Sequence, residues 1–163
     1  MAEFRPEAIL RVLAEHDVEY VLIGGLAAAL HGSDLATSDV DITPAYGAAN
    51  LQRLNEALDD LHAHVRTVDA ADGIEFAHDA ESLMRATTWN LVTDYGDLDL
   101  SFTPAGTSGY EDLRRDALHI EIGGTPITLA ALADVVRSKQ AAGRPKDRIA
   151  LPVLRRLLEE LDG

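Results

Sequence analysis

Two short segments of the chain alternate acidic and aliphatic residues with a period of two. They cover residues 39–42 (Asp-Val-Asp-Ile) and residues 97–100 (Asp-Leu-Asp-Leu). Because successive side chains of a β-strand point to opposite faces, this period predicts two strands that turn aliphatic side chains to a core and carboxylates to the other face. The chain is therefore expected to build its core around a β-sheet.

Hydrophobic periodicity predicts helices interleaved with short strands along the rest of the chain. The predicted helices cover residues 6–16, 26–31, 50–62, 81–85, 110–117 and 129–142, and the predicted strands cover residues 20–23, 39–43, 64–68, 88–93, 97–102, 119–122 and 126–128. A last helix begins at Pro145, and Pro152 is expected to kink or divide it. The pattern is typical of an α/β (α+β) fold, with a mixed sheet flanked by helices and followed by C-terminal helices.

With 163 residues, the chain has about the length of one domain. No internal repeat or Pro/Gly/Ser-rich linker divides it, so residues 1–163 are expected to form a single domain. The longest uncharged apolar stretch, residues 21–30, is too short to cross a bilayer, and the charged N-terminus is not a signal peptide. We therefore expect a cytoplasmic protein with no membrane partner.

Charge is distributed unevenly along the chain. The net charge is −14, yet residues 137–156 contain seven basic residues and one acidic residue. Both lysines of the chain, Lys139 and Lys146, fall in this basic segment. A generic nucleic-acid clamp needs an excess of Lys and Arg to neutralise phosphates, so broad nucleic-acid binding is not expected. The basic segment instead suggests a local site.

Gly24 and Gly25 stand where a predicted strand passes into a predicted helix. Glycine at such a junction lets backbone amides approach a phosphate closely, and a helix N-terminus favours an anion. The same pair also fits a tight turn with close backbone packing and no ligand. The surrounding sequence is neither a Walker A loop nor a GxGxxG motif, so those nucleotide-binding folds are excluded.

The paired carboxylates permit two interpretations. Asp39 and Asp41 would share one face of the first strand, and Asp97 and Asp99 one face of the second. If the two strands are neighbours, their carboxylates converge, and a hard cation such as Mg²⁺ would relieve the repulsion between them. A third carboxylate would then join the metal site or act as a base on an incoming hydroxyl. The alternative is a solvated acidic strand face, which is common in a chain with 28 acidic residues.

Lys139 lies on the apolar stripe of its predicted helix, together with Val136 and Leu132. A lysine in that position either extends its amine outward to water or points into a cleft. Downstream, Arg144 and Lys146 stand close to a helix start. Asp147 there either complements the helix dipole or takes part in the same site.

The order of the motifs carries a resemblance. Residues 20–32 (YVLIGGLAAALHG) are followed by residues 37–42 (TSDVDI), and the similarity continues through residues 50–61, 96–100 and 139–147. This arrangement resembles the opening and later motifs of the DNA polymerase β-like nucleotidyltransferase superfamily. The His-Gly and Thr-x-Asp-x-Asp details are similar to small bacterial nucleotidyltransferases related to AbiEii, the toxin component of type IV toxin–antitoxin systems, and to DUF6036-like proteins.

The resemblance implies a role for each candidate residue. Asp39, Asp41 and Asp99 would be catalytic and would bind Mg²⁺, with Mn²⁺ as a substitute, and Lys139 would be catalytic on the triphosphate side of the cleft. Further nucleotide contacts are implied for Gly24, Gly25, Thr37, Arg144, Lys146 and Asp147. The implied chemistry is attack by an acceptor hydroxyl on the α-phosphorus of a nucleoside triphosphate (NTP), with release of pyrophosphate.

The resemblance leaves the acceptor open. Transfer of a nucleoside monophosphate (NMP) to RNA, such as tRNA, or to a protein would suit a toxin with a cognate antitoxin partner. Many relatives place an Arg before the Thr-x-Asp-x-Asp motif, whereas Leu35-Ala36 stand there in this chain. That departure motivates an alternative, a non-catalytic nucleotide-binding regulator or antitoxin with the same fold. A third hypothesis is an enzyme that modifies a small molecule such as an antibiotic.

Overall fold

A computed structural model describes residues 3–69, 73–74 and 78–162, which form helices and strands in alternation. The helices are α1 (Pro6–Glu15), α2 (Gly24–Leu30), α3 (Ala48–Asp60), α4 (Ala80–Leu83), α5 (Tyr110–Arg114), α6 (Leu132–Ala142) and α7 (Pro145–Asp162). The strands are β1 (Tyr20–Ile23), β2 (Asp39–Pro44), β3 (His64–Val65), β4 (Thr88–Thr93), β5 (Gly96–Ser101), β6 (Leu118–Ile122) and β7 (Thr125–Leu129). None of the helices among these residues is long and apolar enough to span a membrane.

The strands form one mixed sheet in the order β3-β4-β5-β2-β1-β7-β6. The pairs β2–β5 and β1–β7 are parallel, and the other neighbouring strands are antiparallel. Hairpins join β4 to β5 through Asp94-Tyr95, one residue earlier than the predicted Tyr95-Gly96 turn, and β6 to β7 through Gly123-Gly124. A mixed sheet with helices, two of them C-terminal, confirms the fold class predicted from the sequence.

The aliphatic and acidic residues of β2 and β5 lie on opposite faces of the sheet, as their period predicts. Val40, Ile42, Leu98 and Leu100 are completely buried and belong to the same hydrophobic core as the stripes of α1 and α3. Burial of each such aliphatic side chain stabilises the fold by about 1.5–3 kcal/mol. The core therefore fixes the facing of β2 and β5, since a slip of one residue would bury their carboxylates.

Most element boundaries differ from the sequence prediction by one to three residues. Helix α2 begins two residues earlier than predicted, at Gly24, directly after β1. Helix α6 begins at Leu132 rather than at Leu129, because Leu129 pairs with Leu22 of β1 and Leu118 of β6 inside the sheet. Pro152 does not divide α7, which continues from residue 145 to residue 162. The proline is exposed, and the burial of neighbouring aliphatic side chains outweighs its missing hydrogen bond.

Candidate active site

The register between β2 and β5 brings the predicted carboxylates together. Asp39 lies opposite Asp97, and Asp41 lies opposite Asp99, on the same face of the sheet. One carboxylate oxygen from each of Asp39, Asp41 and Asp99 lies within 4.8 Å of the other two. We refer to these three residues as the carboxylate cluster. The parallel pairing of two strands that are far apart in the sequence creates it.

The junction of β1 and α2 lies against this cluster. Ile23 of β1 is paired with Asp41, so the next residue, Gly24, meets the Asp41 side chain. A Cβ atom at Gly24 would overlap the Asp41 carboxylate, and the residue has a φ of +75°, which favours glycine. A Cβ atom at Gly25 would lie 3.0 Å from Oγ1 of Thr37. Both glycines are therefore explained by close approach of the backbone to the cluster and to the loop before β2.

The basic residues approach the cluster from α6 and α7. The Lys139 side chain points inward: the residue is only 7% exposed, and its Nζ lies 3.4 Å from Oδ1 of Asp147. The Arg144 guanidinium donates to both oxygens of the same carboxylate, at 2.7 and 3.2 Å, and its backbone N–H donates at 3.1 Å. Burial alone would raise the pKa of Asp147, but the hydrogen bonds and charge of Arg144 outweigh it and lower that pKa.

Two clefts meet at the carboxylate cluster. The first, which we call the basic cleft, has a volume of about 150 Å³. Its lining includes the predicted residues Gly25, Thr37, Asp39, Asp41, Lys139, Arg144 and Lys146. Asp147 does not line it, because that carboxylate is completely buried behind Lys139 and Arg144. The resemblance assigns Asp147 to the nucleotide. In the structure its carboxylate instead contacts Lys139 and Arg144 and does not face the cleft.

The second cleft has a volume of about 300 Å³ and also reaches the cluster. It shares Asp41, Lys139 and Arg144 with the basic cleft, and Gly24 and Asp99 line it as well. Neutral polar side chains contribute much of the remaining lining, namely Thr88, Asn90, Ser101, Thr107 and Ser138. The cluster is therefore shared by a small cationic cleft and a larger cleft in which hydroxyl and amide groups lie among apolar side chains.

Crowding of the carboxylates disfavours their charged forms. Burial, the contact with Asp39 and the charge of Asp41 raise the pKa of Asp99 to about 8, although the Arg66 guanidinium opposes the change. Burial and the charge of Asp39 raise the pKa of Asp41 to about 6, against the charges of Lys146 and Arg144. The cluster thus offers oxygen ligands that lack sufficient positive charge around them. A hard divalent cation such as Mg²⁺ fits this donor set.

Sequence reasoning missed Arg66, which follows β3. Its guanidinium lies 2.9 Å from Oδ2 of Asp97 and 3.0 Å from Oδ1 of Asp99. The period of the predicted strand over residues 64–68 places Arg66 on one face with His64. Only the pairing of β3 with β4, and of β4 with β5, shows that this face carries the carboxylates.

No protein-family model and no curated protein sequence matches the chain. Solved structures do match it over nearly its whole length. The lincosamide antibiotic adenylyltransferase LnuA with bound lincomycin superposes with a TM-score of 0.62 at 16% identity, over 96% of this chain and 99% of that one. The enzyme ANT(2")-Ia in complex with adenylyl-2"-tobramycin superposes with a TM-score of 0.55 at 16% identity, over 94% of this chain and 87% of that one.

A third structure, a candidate nucleotidyltransferase from Thermotoga maritima, gives a TM-score of 0.51 at 18% identity, over 98% of this chain and 97% of that one. At such identities the similarity concerns the fold. The chain therefore has a nucleotidyltransferase fold, as the sequence predicts. The narrower resemblance to AbiEii-like and DUF6036-like proteins stays a prediction.

Proposed function

We propose that the chain is a metal-dependent nucleotidyltransferase that transfers an NMP from an NTP to an acceptor hydroxyl. One observation carries the proposal: the carboxylate cluster lines two clefts, since Asp39 lines the basic cleft, Asp99 lines the second cleft and Asp41 lines both. Displacement at a phosphorus atom needs separate room for the attacking oxygen and for the leaving oxygen. Two clefts that share Asp41 offer that room.

The basic cleft suits the triphosphate. Lys139, Arg144 and Lys146 supply positive charge, and Gly25 and Thr37 line the same cleft. Asp147 acts as a positioning residue, since its buried carboxylate holds Lys139 and Arg144 in place. The leaving pyrophosphate would remain on this side of the cluster.

Asp39, Asp41 and Asp99 would hold the cation, which is Mg²⁺ or, in its place, Mn²⁺. When bound, such an ion lowers the pKa of an attacking hydroxyl and offsets the charge of the leaving group. The acceptor oxygen forms a bond to the α-phosphorus while the bond from that phosphorus to the pyrophosphate oxygen breaks. The hydroxyl proton passes to the Asp99 carboxylate, which lines the second cleft, and from there to water.

The second cleft favours a small acceptor that carries hydroxyl groups. Its volume of about 300 Å³ and its lining of Thr, Ser and Asn side chains suit a polyhydroxylated small molecule better than a folded RNA or a protein. Two of the similar folds, LnuA and ANT(2")-Ia, are described with an antibiotic or its adenylylated product bound. These observations support a small-molecule acceptor more than the macromolecular acceptors that the sequence resemblance implies.

A toxin that modifies tRNA or a protein, with a cognate antitoxin, is the second candidate. The exposed face of α7 favours it, because Arg148, Arg155 and Arg156 project into solvent on the helix that also carries Lys146 of the basic cleft. A macromolecule would meet this face first. Its hydroxyl would then have to reach the second cleft beside Asp99.

Fractionated cell extract distinguishes the acceptors. The protein is incubated with Mg²⁺ and each α-phosphorus-labelled NTP, together with small-molecule, RNA or protein fractions of a bacterial extract. We expect label in the small-molecule fraction, with an NMP adduct in its mass spectrum, and no label with Asp41→Asn. Label in the RNA or protein fraction alone would select the toxin. Binding of Mg–NTP without transfer to any fraction would select the non-catalytic regulator.

A further inference from the structure

One cationic side chain forms an ion pair with the carboxylate cluster. Arg66 spans two carboxylates of β5, with one nitrogen 2.9 Å from Asp97 and another 3.0 Å from Asp99. Among the described residues, no cation lies within 4.0 Å of a carboxylate oxygen of Asp39 or Asp41. The Arg66 side chain is 32% exposed and that of Asp99 is 15% exposed, so the pair is partly shielded from water.

Sheet pairing fixes the position of Arg66. Its backbone N–H donates to the carbonyl of Asn90 on β4 at 2.9 Å, and Asn90 lies opposite Asp99 on β5. Asp99 in turn lies opposite Asp41 on β2. Arg66, Asn90, Asp99 and Asp41 therefore form one row across the sheet. The backbone hydrogen bond to Asn90 therefore fixes the position of Arg66 in the sheet, and its side chain reaches Asp99 from there.

Two other basic residues of the site pair with a carboxylate outside the cluster. Lys139 and Arg144 contact the buried carboxylate of Asp147, which neutralises part of their charge. Among the described residues, Arg66 is consequently the cation that forms an ion pair with a carboxylate of the cluster, whereas the charges of Lys146 and Arg144 act on Asp41 from a longer distance. A divalent cation on the cluster and the guanidinium on Asp99 would then repel each other across one carboxylate.

We propose that Arg66 occupies Asp99 in the metal-free protein and thereby makes cation binding depend on the triphosphate. A cation without nucleotide must displace the guanidinium from the Asp99 oxygens against the repulsion of its positive charge, so it binds weakly. A triphosphate adds several anionic oxygens beside the cluster, and these restore the attraction that Arg66 removes. This inference rests on the proposed metal site, and it identifies Arg66 as a positioning residue that does not touch the substrate.

Titration with Mn²⁺, followed by the electron paramagnetic resonance signal of the free ion, tests this dependence without any transfer reaction. The wild-type protein should bind Mn²⁺ weakly alone and at least about tenfold more tightly with an α,β-methylene NTP analogue. Arg66→Gln removes the charge and should bind Mn²⁺ alone about tenfold more tightly than the wild type. Arg66→Lys keeps the charge and should remain close to the wild type.

Arg85→Gln is the matched control, because it makes the same charge change at an exposed residue that pairs with Glu81. It should leave Mn²⁺ affinity unchanged. Equal or weaker Mn²⁺ binding by Arg66→Gln would overturn the proposal, since a merely structural ion pair predicts that outcome. If Arg66→Gln fails to fold by circular dichroism, the wild type decides alone: Mn²⁺ that binds as tightly without the analogue as with it refutes the dependence. Absence of NMP transfer would refute the enzyme proposal but leave these binding results unaffected.

Discussion

Replacing Asp99 by Asn should stabilise the metal-free protein at alkaline pH. Burial, the contact with Asp39 and the charge of Asp41 raise the pKa of Asp99 from 3.8 to about 8. The folded state therefore keeps a proton that the unfolded chain releases. Stability due to this group is complete below about pH 3.8 and is lost as the pH rises through 8. Asn mimics the protonated acid and does not undergo that loss.

The magnitude follows from the number of protons involved. A difference of one bound proton changes the free energy of unfolding by about 1.36 kcal/mol per pH unit. Between pH 5 and pH 8 the stability advantage of Asp99→Asn over the wild type should therefore grow by at most about 4 kcal/mol. The acidic groups whose pKa is lowered, Asp79, Asp112 and Asp147, are ionised in both states over this window. These groups therefore do not make the free energy of unfolding depend on pH in this range.

Urea unfolding at several pH values in excess EDTA measures this advantage. We expect the wild type to lose stability relative to Asp99→Asn from pH 5 to pH 8. Asp34→Asn, which changes an exposed carboxylate outside the cluster, is the control and should follow the wild type. A growth in the difference of less than about 1 kcal/mol would show that the carboxylates are not crowded as the geometry requires. Added Mg²⁺ together with an NTP analogue should reduce the difference, because the bound ion stabilises the wild-type cluster.

Further predictions concern the junction, the basic cleft and the metal. Gly24→Ala should lower the free energy of unfolding by at least about 2 kcal/mol in urea titrations, because it adds a Cβ against Asp41 at a positive φ; Gly47→Ala, which has open space, should cost less. Asp147→Asn should cost about 3 kcal/mol by the same assay, since it leaves Lys139 and Arg144 without their buried partner. Lys139→Met should raise the KM for NTP at least about tenfold in the transfer assay. Removal of divalent cations by EDTA should abolish transfer, and Mg²⁺ should restore it.

The parts of the fold governed by local periodicity could be predicted from the sequence. Strands β1 and β4 begin and end at the predicted residues, and the carboxylates of residues 39, 41 and 99 meet on one face. Because acidic and aliphatic residues alternate in β2 and β5, burial of the aliphatic side chains turns the carboxylates of each strand to the opposite face. Their adjacency was a condition of the prediction, because no local signal specifies which strands pair in parallel.

The remaining features depend on long-range contacts. Periodicity placed Lys139 on a buried stripe and left its direction open, and the Asp147 carboxylate behind it settles that direction. Arg66 reaches Asp99 only through two successive strand pairings. Leu129 belongs to the sheet rather than to the next helix because it pairs with Leu118 of the preceding strand and with Leu22 of β1, and the latter partner is distant in the sequence. Each of these features is set by partners that the residue's own neighbourhood does not reveal.

The position of the transferred label tests nucleotidyl transfer most directly. The protein is incubated with Mg²⁺, acceptor-containing extract and an NTP labelled either on its α-phosphorus or on its γ-phosphorus. The geometry of the carboxylate cluster and the two clefts predicts that only the α-label reaches the acceptor, that the γ-label appears in pyrophosphate, and that Asp41→Asn transfers neither. Transfer of the γ-label, or an Asp41→Asn variant as active as the wild type, would contradict the account.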